Sequence, residues 1–332
     1  MITVFLTHDP EDLNAYYGRA LPELRAVADV VINPNGRDLT TAELIVAAAG
    51  CDVIVAHRST PGEAALFASS PDLIAFLRTA VDISTVDVGA ASAAGVLVAR
   101  ADKSFVPSTA EIALALLLDV ARHVSDSTLD YRRDVEPPQR TGFQLRGRTA
   151  GMIGYGSIAR YLAPVLQALG MTVIVNDPAV EYAVRADGYE HIAFDALLAR
   201  ADVVLPLAAS VPETENIIDA AAISQMRPGT VLVNVSRGEL MDEDAVEAAL
   251  DSGHLGGLAM DVGRAADQRP SPALARRPDV VATPHLGGLT SENADAQARS
   301  SVDQVRAIIA GEMPPRAVNP EHAERLRHWW QP

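Results

Sequence analysis

The sequence predicts an α/β protein in which a doubly wound parallel sheet follows a smaller parallel α/β domain. Short apolar runs of strand length alternate with stretches rich in alanine, leucine and glutamate along most of the chain. This alternation is typical of βαβ units. One glycine-rich turn joins such a run to a helix-like stretch within residues 148–178. The rest of the chain is arranged around that turn.

The region before the turn is predicted to hold four buried strands separated by helices. These strands are residues 2–7, 29–32, 52–56 and 73–77. Residues 109–123 are predicted to form the longest helix, which bridges to the following domain. Residues 126–147 are polar and rich in arginine, with paired prolines, and therefore predict an exposed arm.

The turn has the pattern G-x-G-x-x-A between a strand at 150–153 and a helix that begins at Ser157. Gly154 allows the tight turn, Gly156 has no Cβ to block a pyrophosphate, and Ala159 takes the third small position. The N-terminus of the helix offers N–H groups and the positive end of the helix dipole to phosphates. This context predicts a dinucleotide site rather than an ordinary tight βα turn.

An acidic residue at the tip of the next strand indicates which dinucleotide binds. Residues 171–176 form that strand, and Asp177 follows about 20 residues after the glycines, where an acid holds a ribose 2′-hydroxyl. Beside a 2′-phosphate the same carboxylate would be a close like-charge contact. The sequence therefore favours NAD(H) over NADP(H) as the cofactor.

Beyond Asp177 the alternation resumes and completes a predicted sheet of about six strands. Further strands are predicted at 202–205, 230–235, 257–261 and 279–282, with helices at 219–226 and 242–252. A helix at 291–310 then leads away and is predicted to pack on the N-terminal domain.

Composition argues against several classes of function. The 332 residues are enough for two domains, and the net charge of −16 argues against nucleic acid or an anionic membrane as a partner. Cys51 is the only cysteine, so neither a disulfide nor a cysteine zinc site is expected, and no metal is predicted. The N-terminus lacks a signal-peptide pattern, and the longest apolar run, residues 112–118, is too short to span a bilayer. A cytoplasmic protein is expected.

Two residues at the ends of later strands are the candidates for chemistry. Arg237 lies between the strand at 230–235 and the helix at 242–252, and His285 lies between Pro284 and two nearby glycines. An arginine clamps a carboxylate through paired hydrogen bonds, and a histidine exchanges a proton near neutral pH. Beside a nicotinamide, this pair suits reduction of a 2-keto acid by hydride transfer. The other seven histidines lack a comparable setting and are predicted to be structural or exposed.

From about residue 40 to 320 the sequence resembles the D-2-hydroxyacid dehydrogenase family. The matching stretches, in family order, are VDISTVDVGAASAAGVLVAR, STAEIALALLL, GMIGYGSIAR, DVVLPLAASVPET, MRPGTVLVNVSRGELMDEDAV, SGHLGGLAMDV and ATPHLGGLT. The resemblance implies a Rossmann-type NAD domain, residues 100–290, inserted into a smaller flavodoxin-like α/β substrate domain made of residues 1–99 and 291–332. It also implies an active site in the cleft and a homodimer in which the arm at 120–147 takes part.

The resemblance also assigns roles to individual residues. Arg237 would anchor the substrate carboxylate and keto oxygen, His285 would be the acid/base, and Asp261 would hold the nicotinamide carboxamide. Backbone N–H groups around Ala80, Val81 and Asp82 would face the substrate carboxylate. The other expected cofactor contacts, besides Arg237 and His285 themselves, are Gly154, Tyr155, Gly156, Ser157, Ile158, Asp177, Leu207, Ala208, Thr214, Val235, Ser236 and Gly287.

The sequence departs from the family pattern near the histidine. Members commonly carry a glutamate that pairs with this histidine, but the corresponding position here holds Ala266. Asp267 or Gln268 could replace it. An aspartate would keep His285 readily protonated for ketone reduction, and Asp267 is the predicted catalytic partner. A glutamine would leave it neutral more often, as in the formate dehydrogenase branch.

Other departures leave the substrate and the role of the tail open. The substrate loop reads TAVDIS, with Asp82 beside the carboxylate site, and Phe105 replaces an asparagine of several members, which indicates a bulkier or less polar substrate. A non-catalytic, NAD(H)-sensing interaction protein, as in the corepressor branch, remains an alternative. Trp329 and Trp330 have no family counterpart; they could cap a cleft, pack on a neighbouring subunit, or belong to a docked or disordered terminus.

Overall fold

A computed structural model of the chain describes residues 1–179 and 188–331. Its strands are β1 (Thr3–Leu6), β2 (Asp29–Ile32), β3 (Val53–Ala56), β4 (Ala75–Arg78), β5 (Leu97–Arg100), β6 (Thr149–Ile153), β7 (Thr172–Asn176), β8 (Glu190–His191), β9 (Val203–Pro206), β10 (Thr230–Asn234), β11 (Leu255–Met260) and β12 (Val280–Ala282). Its α-helices are α1 (Pro10–Asp12), α2 (Leu21–Arg25), α3 (Thr41–Ala47), α4 (Ala64–Ser69), α5 (Val88–Ala93), α6 (Val106–Arg122), α7 (Val124–Arg132), α8 (Ser157–Ala168), α9 (Phe194–Arg200), α10 (Ala220–Gln225), α11 (Glu243–Asp251), α12 (Pro272–Ala275), α13 (Ser291–Ile309) and α14 (Glu324–Trp329).

The chain divides into two compact units. Met1–Ser104 together with Thr290–Pro332 form one, here named the terminal unit, and Phe105–Leu289 form the other, named the inserted unit. Each unit contains its own parallel sheet. None of the helices in the described residues combines the length and apolarity that a bilayer span requires.

The terminal unit is built on a parallel sheet whose described strands run in the order β2-β1-β3-β4-β5. This is the flavodoxin-like order, which confirms the predicted fold class for this part of the chain. The expectation of four strands was wrong by one, since β5 forms a fifth. Its short apolar run follows an alanine-rich stretch after a single glycine, so the sequence pattern does not set it apart.

The C-terminal helices complete the core of the terminal unit. The apolar face of α13 packs with the buried residues of β1 and β3, and Ser301 Oγ on this helix lies 2.7 Å from the hydroxyl of the buried Tyr17. In α14, Leu326 is fully buried and the indole Nε1 of Trp330, just after the helix, donates to the carbonyl of Ile308 at 2.7 Å. The tail is therefore docked on its own unit, although Trp329 remains 39% exposed.

The inserted unit has a seven-stranded parallel sheet among its described residues, in the order β12-β11-β10-β9-β6-β7-β8. This is the doubly wound Rossmann order. Helices α6 and α8 contribute to the apolar core on one face, and α9, α10 and α11 to the core on the other. The sequence missed β8, because two residues are too few to show a period, and it missed α7 within the predicted arm.

Candidate active site

The glycine turn between β6 and α8 is a point of close backbone approach. Gly154 has φ +92°, and a Cβ on it would lie 2.7 Å from the backbone of Ala208. Its N–H donates to the carbonyl of Asn176 at 2.7 Å, and the N–H of Leu207 donates to the carbonyl of Ile153 at 2.7 Å. These contacts place Leu207 and Ala208 beside the turn, and only glycine satisfies both the conformation and the space.

The start of α8 leaves room for a phosphate. Gly156 is the N-cap residue, and apart from its two chain neighbours no atom of residues 1–179 and 188–331 lies within 4 Å of where its Cβ would be. Ser157 and Ile158 form the first turn, where backbone N–H groups have no partner within the helix. Open space in front of N–H donors at the positive end of a twelve-residue helix fits the pyrophosphate of a dinucleotide.

Asp177 lies at the carboxyl end of β7 and connects to the same turn. Its Oδ2 accepts the N–H of Tyr155 at 2.7 Å, and its Oδ1 accepts the N–H of Ala179 at 2.9 Å. A carboxylate can accept further hydrogen bonds, so ribose hydroxyls remain within its capacity. The side chain of Tyr155 itself is buried, with the Arg160 guanidinium 4.5 Å from its ring centroid, so Tyr155 faces the site through its backbone.

The loops after β9 and β10 are tied together beside this turn. The Ser236 hydroxyl donates to the carbonyl of Ala208 at 2.9 Å, and Val235 before it is buried. The hydroxyl of Thr214 donates to the carbonyl of Ala209 at 2.6 Å and accepts the N–H of Val211 at 3.0 Å. Thr214 therefore shapes the loop on the predicted adenosine side through its own hydrogen bonds.

Arg237 follows β10 in a loop whose backbone is held by Asn234. The Asn234 amide donates to the carbonyl of Arg237 at 2.8 Å and accepts the N–H of Ser236 at 3.0 Å. The next residue, Gly238, is in close backbone contact with Gly263, since a Cβ on Gly238 would lie 2.2 Å from the Gly263 carbonyl carbon. The loop that carries Arg237 thus packs closely on the loop that follows β11.

His285 is oriented by a backbone carbonyl of the loop that follows β11. Its Nδ1 lies 3.0 Å from the carbonyl oxygen of Asp267, while the Asp267 carboxylate lies 3.9 Å from the guanidinium of Arg269. This contact with Asp267 is made through its main chain, and a pairing of His285 with the Asp267 side chain stays a prediction. Asp267 and Gln268 both have positive φ, near +57°, and this turn presents the carbonyl to the ring.

This contact defines the role of each ring nitrogen of His285. A carbonyl oxygen only accepts hydrogen bonds, so Nδ1 carries the hydrogen of the contact. The remaining nitrogen, Nε2, is then the atom at which a proton can be gained or lost. His285 itself has φ +61°, and its N–H donates to the carbonyl of Asp261 at 2.9 Å.

Asp261 supports the histidine loop, a role that the sequence did not indicate. Its side chain is buried and accepts the hydroxyl of Thr283 at 2.6 Å and the N–H groups of Leu286 and Gly287 at 2.7 Å each. Gly287 fits closely here, since a Cβ would lie 3.0 Å from the carboxylate. The Asp261 carboxylate, which is predicted to hold the nicotinamide, thus binds residues on both sides of His285 in the chain. These hydrogen bonds leave only part of its acceptor capacity for a ligand.

The predicted substrate loop follows β4 in the terminal unit. The carbonyl of Ala80 accepts the N–H of Ala101 at 3.1 Å, Val81 is partly exposed, and the exposed Asp82 accepts the N–H of Ser84 at 2.8 Å. The side chain of Asp82 thus shapes its own loop, and contact of this loop with a substrate carboxylate stays a prediction.

A buried guanidinium supports the base of that loop. Arg78, only 3% exposed, donates to the carbonyls of His57 and Arg58 and to the hydroxyl of Thr85 at 2.9 Å. Burial lowers the pKa of Arg78 to about 10, so it stays charged at neutral pH. Arg78 was missed at the sequence level, because an arginine at a strand end gives no sign of its burial.

Residues 114–287 match the sequence profile of the NAD binding domain of D-isomer specific 2-hydroxyacid dehydrogenases, and the chain belongs to this family. D-3-phosphoglycerate dehydrogenase of Mycobacterium leprae is 37% identical over 287 residues, which is 86% of this chain and 54% of the relative. The enzyme of the same name from Mycobacterium tuberculosis is 36% identical over 83% of this chain and 53% of the relative. The chain thus spans about half the length of these relatives.

Solved structures share the fold of this chain. A Thermus thermophilus protein superposes with a TM-score of 0.84 at 28% identity, covering 96% of this chain and 100% of the other. D-lactate dehydrogenase from Escherichia coli, in its apo form, has a TM-score of 0.81 at 23% identity, over 96% of this chain and 100% of the other, and shares the fold. The inserted unit is accordingly an NAD-binding domain, as the glycine turn and Asp177 predicted.

Proposed function

We propose that the protein is an NAD(H)-dependent dehydrogenase that interconverts a 2-keto acid and a D-2-hydroxy acid. The observation that carries the proposal is the setting of His285: its Nδ1 is held by the Asp267 carbonyl, its loop is clamped by Asp261, and Nε2 is left for proton exchange. A histidine with only a structural role would not need this support. The names of the Mycobacterium relatives, which are D-3-phosphoglycerate dehydrogenases, support the same reaction class.

Each group of the proposed site has one task. Bound nicotinamide supplies the hydride acceptor or donor. Arg237 holds the substrate carboxylate through paired charge-assisted hydrogen bonds. His285 gives a proton from Nε2 to the keto oxygen during reduction and takes it back during oxidation. The first turn of α8 and Asp177 hold the pyrophosphate and the adenosine ribose.

The decisive experiment is NADH consumption with glyoxylate, hydroxypyruvate, pyruvate, 2-ketobutyrate and phenylpyruvate. We expect turnover with at least one of them, at a rate that decreases with increasing pH because reduction consumes a proton. Arg237→Ala should lower kcat/KM at least about 100-fold through loss of a charged anchor. Arg227→Ala is the matched control, since the side chain of this exposed arginine forms a surface ion pair with Asp202 at 3.3 Å. Full turnover in Arg237→Ala would refute the proposal.

Oxidation of a small anion such as formate is a second candidate. A carbonyl at Nδ1 stabilises a protonated ring less than a carboxylate does, and formate oxidation requires no proton transfer from a histidine. NAD reduction by formate, with no reaction of the keto acids, would favour this candidate. NADH binding without turnover of any of these compounds would favour the sensing role instead.

A homodimer that uses the arm is part of the same proposal. Large apolar side chains are exposed along α6, α7 and the following segment: Leu118, Val124, Leu129, Tyr131 and Val135. Single exposed apolar residues are common on protein surfaces, but several of them along one stretch of chain are typical of an interface. Sedimentation analysis should give a dimer mass for the wild type and a monomer for the double variant Leu129→Asp/Tyr131→Asp. A monomeric wild type would rule out the dimer.

A further inference from the structure

An arginine in the loop after β11 contacts oxygen atoms of two other loops in the inserted unit. Nη2 of Arg264 donates to Asn216 Oδ1 at 2.5 Å and lies 2.9 Å from the carboxylate of Glu215. It also donates to the carbonyls of Glu239 and Met241, at 3.1 Å and 3.3 Å. The first pair of residues follows β9 and the second pair follows β10. One cation therefore joins the loops after three adjacent strands.

The four oxygens around Arg264 form a place for one positive charge. A terminal guanidinium nitrogen carries two hydrogens, so the oxygens share them and are also attracted by the charge itself. The side chain of Arg264 is 35% exposed, and ion pairs near the surface contribute little to stability. We therefore expect these contacts to fix the positions of the loops, and a substitution of Arg264 to leave the protein folded.

The contacts to the loop after β10 lie next to the predicted carboxylate anchor. The carbonyl of Glu239 is two residues beyond Arg237, and Gly238 lies between them. A Cβ on Gly238 would lie 2.2 Å from the carbonyl carbon of Gly263, which directly precedes Arg264. Close backbone packing and the guanidinium thus hold the two loops together at the same place.

The loop that contains Arg264 also carries the group that contacts His285. Within this loop the N–H of Gly263 donates to the carbonyl of Gln268 at 2.9 Å, which closes the loop on itself. The carbonyl of Asp267, one residue earlier, lies 3.0 Å from Nδ1 of the His285 ring. A shift of the backbone at Arg264 would therefore change where this carbonyl meets the ring.

We propose that Arg264 is a positioning residue that fixes the separation between the carboxylate anchor Arg237 and the acid/base His285. This role rests on the proposed function, in which the two residues act on neighbouring groups of one substrate. The carboxylate and the keto carbon of a 2-keto acid are directly bonded, so a small change in the separation misaligns one residue when the other is in place. The guanidinium of Arg264 holds the first loop, and its own backbone belongs to the second.

The His285 ring provides a measurement that does not depend on turnover. Contact with the Asp267 carbonyl places a hydrogen on Nδ1 of the neutral ring. Nitrogen NMR of protein labelled in its histidine rings distinguishes this tautomer from the one that is protonated at Nε2. We expect the Nδ1–H tautomer in the wild type and a mixture of both tautomers in Arg264→Met, where the loop is no longer held. The signal is assigned by its absence from His285→Gln.

Two further variants test whether the positive charge of Arg264 is the cause. Arg264→Lys should keep the wild-type tautomer, because an ammonium group has three donors and can bind the same oxygens. Arg200→Ala is the matched control and should also keep it. The Arg200 guanidinium makes two hydrogen bonds of 2.8 Å to Glu190, and Arg200 precedes β9 at the opposite edge of the same sheet. Thermal melting verifies that each variant is folded.

Kinetics with a keto acid that the wild type reduces measure the effect on the proposed reaction. Arg264→Met should lower kcat about tenfold with little change in NADH affinity, and Arg264→Lys should regain most of the loss. An unchanged tautomer in Arg264→Met would overturn the proposal, as would equal kcat in Arg264→Met and Arg200→Ala. A tautomer that responds to Arg264→Met in a protein without turnover would count against the proposed reaction alone and would still support the link between Arg264 and His285.

Discussion

The carboxyl edges of the two sheets use acidic residues in opposite ways. In the inserted unit, Asp261 is buried and accepts three hydrogen bonds from the loop that carries His285. In the terminal unit, Asp12 and Asp38 converge on His57, close to further acids and to the guanidinium groups of Arg58 and Arg78. A carboxylate that accepts several hydrogen bonds from one loop is a rigid support for that loop, whereas burial and the neighbouring acids raise the pKa of Asp12. The same edge geometry therefore accommodates two different arrangements of acidic residues.

The largest expected effect concerns the histidine that the inserted unit supports. His285→Gln should lower kcat about 10²–10⁴-fold, because the amide can occupy the site but cannot exchange the proton. Binding of NADH, followed by its fluorescence, should change little. His254→Gln is the control, since the ring of His254 lies in the same unit and its Nε2 contacts the carbonyl of Ile223 at 2.9 Å. Similar losses in both variants would show that His285 has no special role.

The difference between the carboxylates of Asp261 and Asp38 can be measured as a change in the free energy of unfolding. Asp261→Ala should lower the free energy of unfolding by about 3–5 kcal/mol, since it leaves a hydroxyl and two N–H groups without their charged acceptor. Asp38→Ala, at an exposed position, should change it by less than about 0.5 kcal/mol. Denaturant titration monitored by circular dichroism compares the two. Equal destabilisation would contradict the distinction between the two arrangements of acidic residues.

Substitutions at two glycines of the nucleotide turn should affect stability and NADH binding separately. Gly154→Ala should destabilise the protein by about 2–4 kcal/mol, because φ is +92° and the added Cβ would meet the Ala208 backbone. Gly156→Ala should leave stability nearly unchanged but weaken NADH binding at least about tenfold, since its Cβ would enter open space that fits the pyrophosphate. Unchanged NADH affinity in Gly156→Ala would place the cofactor elsewhere.

The smallest expected effect is at the C-terminal tail of the terminal unit. Trp330→Phe should cost about 1 kcal/mol, because it leaves the carbonyl of Ile308 without the indole donor at 2.7 Å. Trp329→Phe should cost less than about 0.5 kcal/mol, since Trp329 is 39% exposed. Thermal melting distinguishes these two variants. A larger loss in Trp329→Phe would mean that the exposed indole contacts a partner subunit in solution.

Much of this protein is determined by local sequence patterns. The β6–α8 turn, Asp177 after β7, and the positions of Arg237 and His285 after β10 and β12 all follow from residues near each other in the chain. The same patterns predicted most strands of both sheets. They could not show β5 or the two-residue β8, whose runs are too short or too similar to their surroundings for a period to stand out.

Only the tertiary structure decided which atoms meet. The main-chain carbonyl of Asp267 contacts His285, and Asp261 supports a loop more than 20 residues further along. Likewise, Asp12, Asp38 and His57 look unrelated in the sequence and converge only because β1, β2 and β3 lie side by side. Hydrogen bonds and charge interactions act over a few ångströms. Their partners are therefore set by how the strands are ordered in space and not by their spacing along the chain.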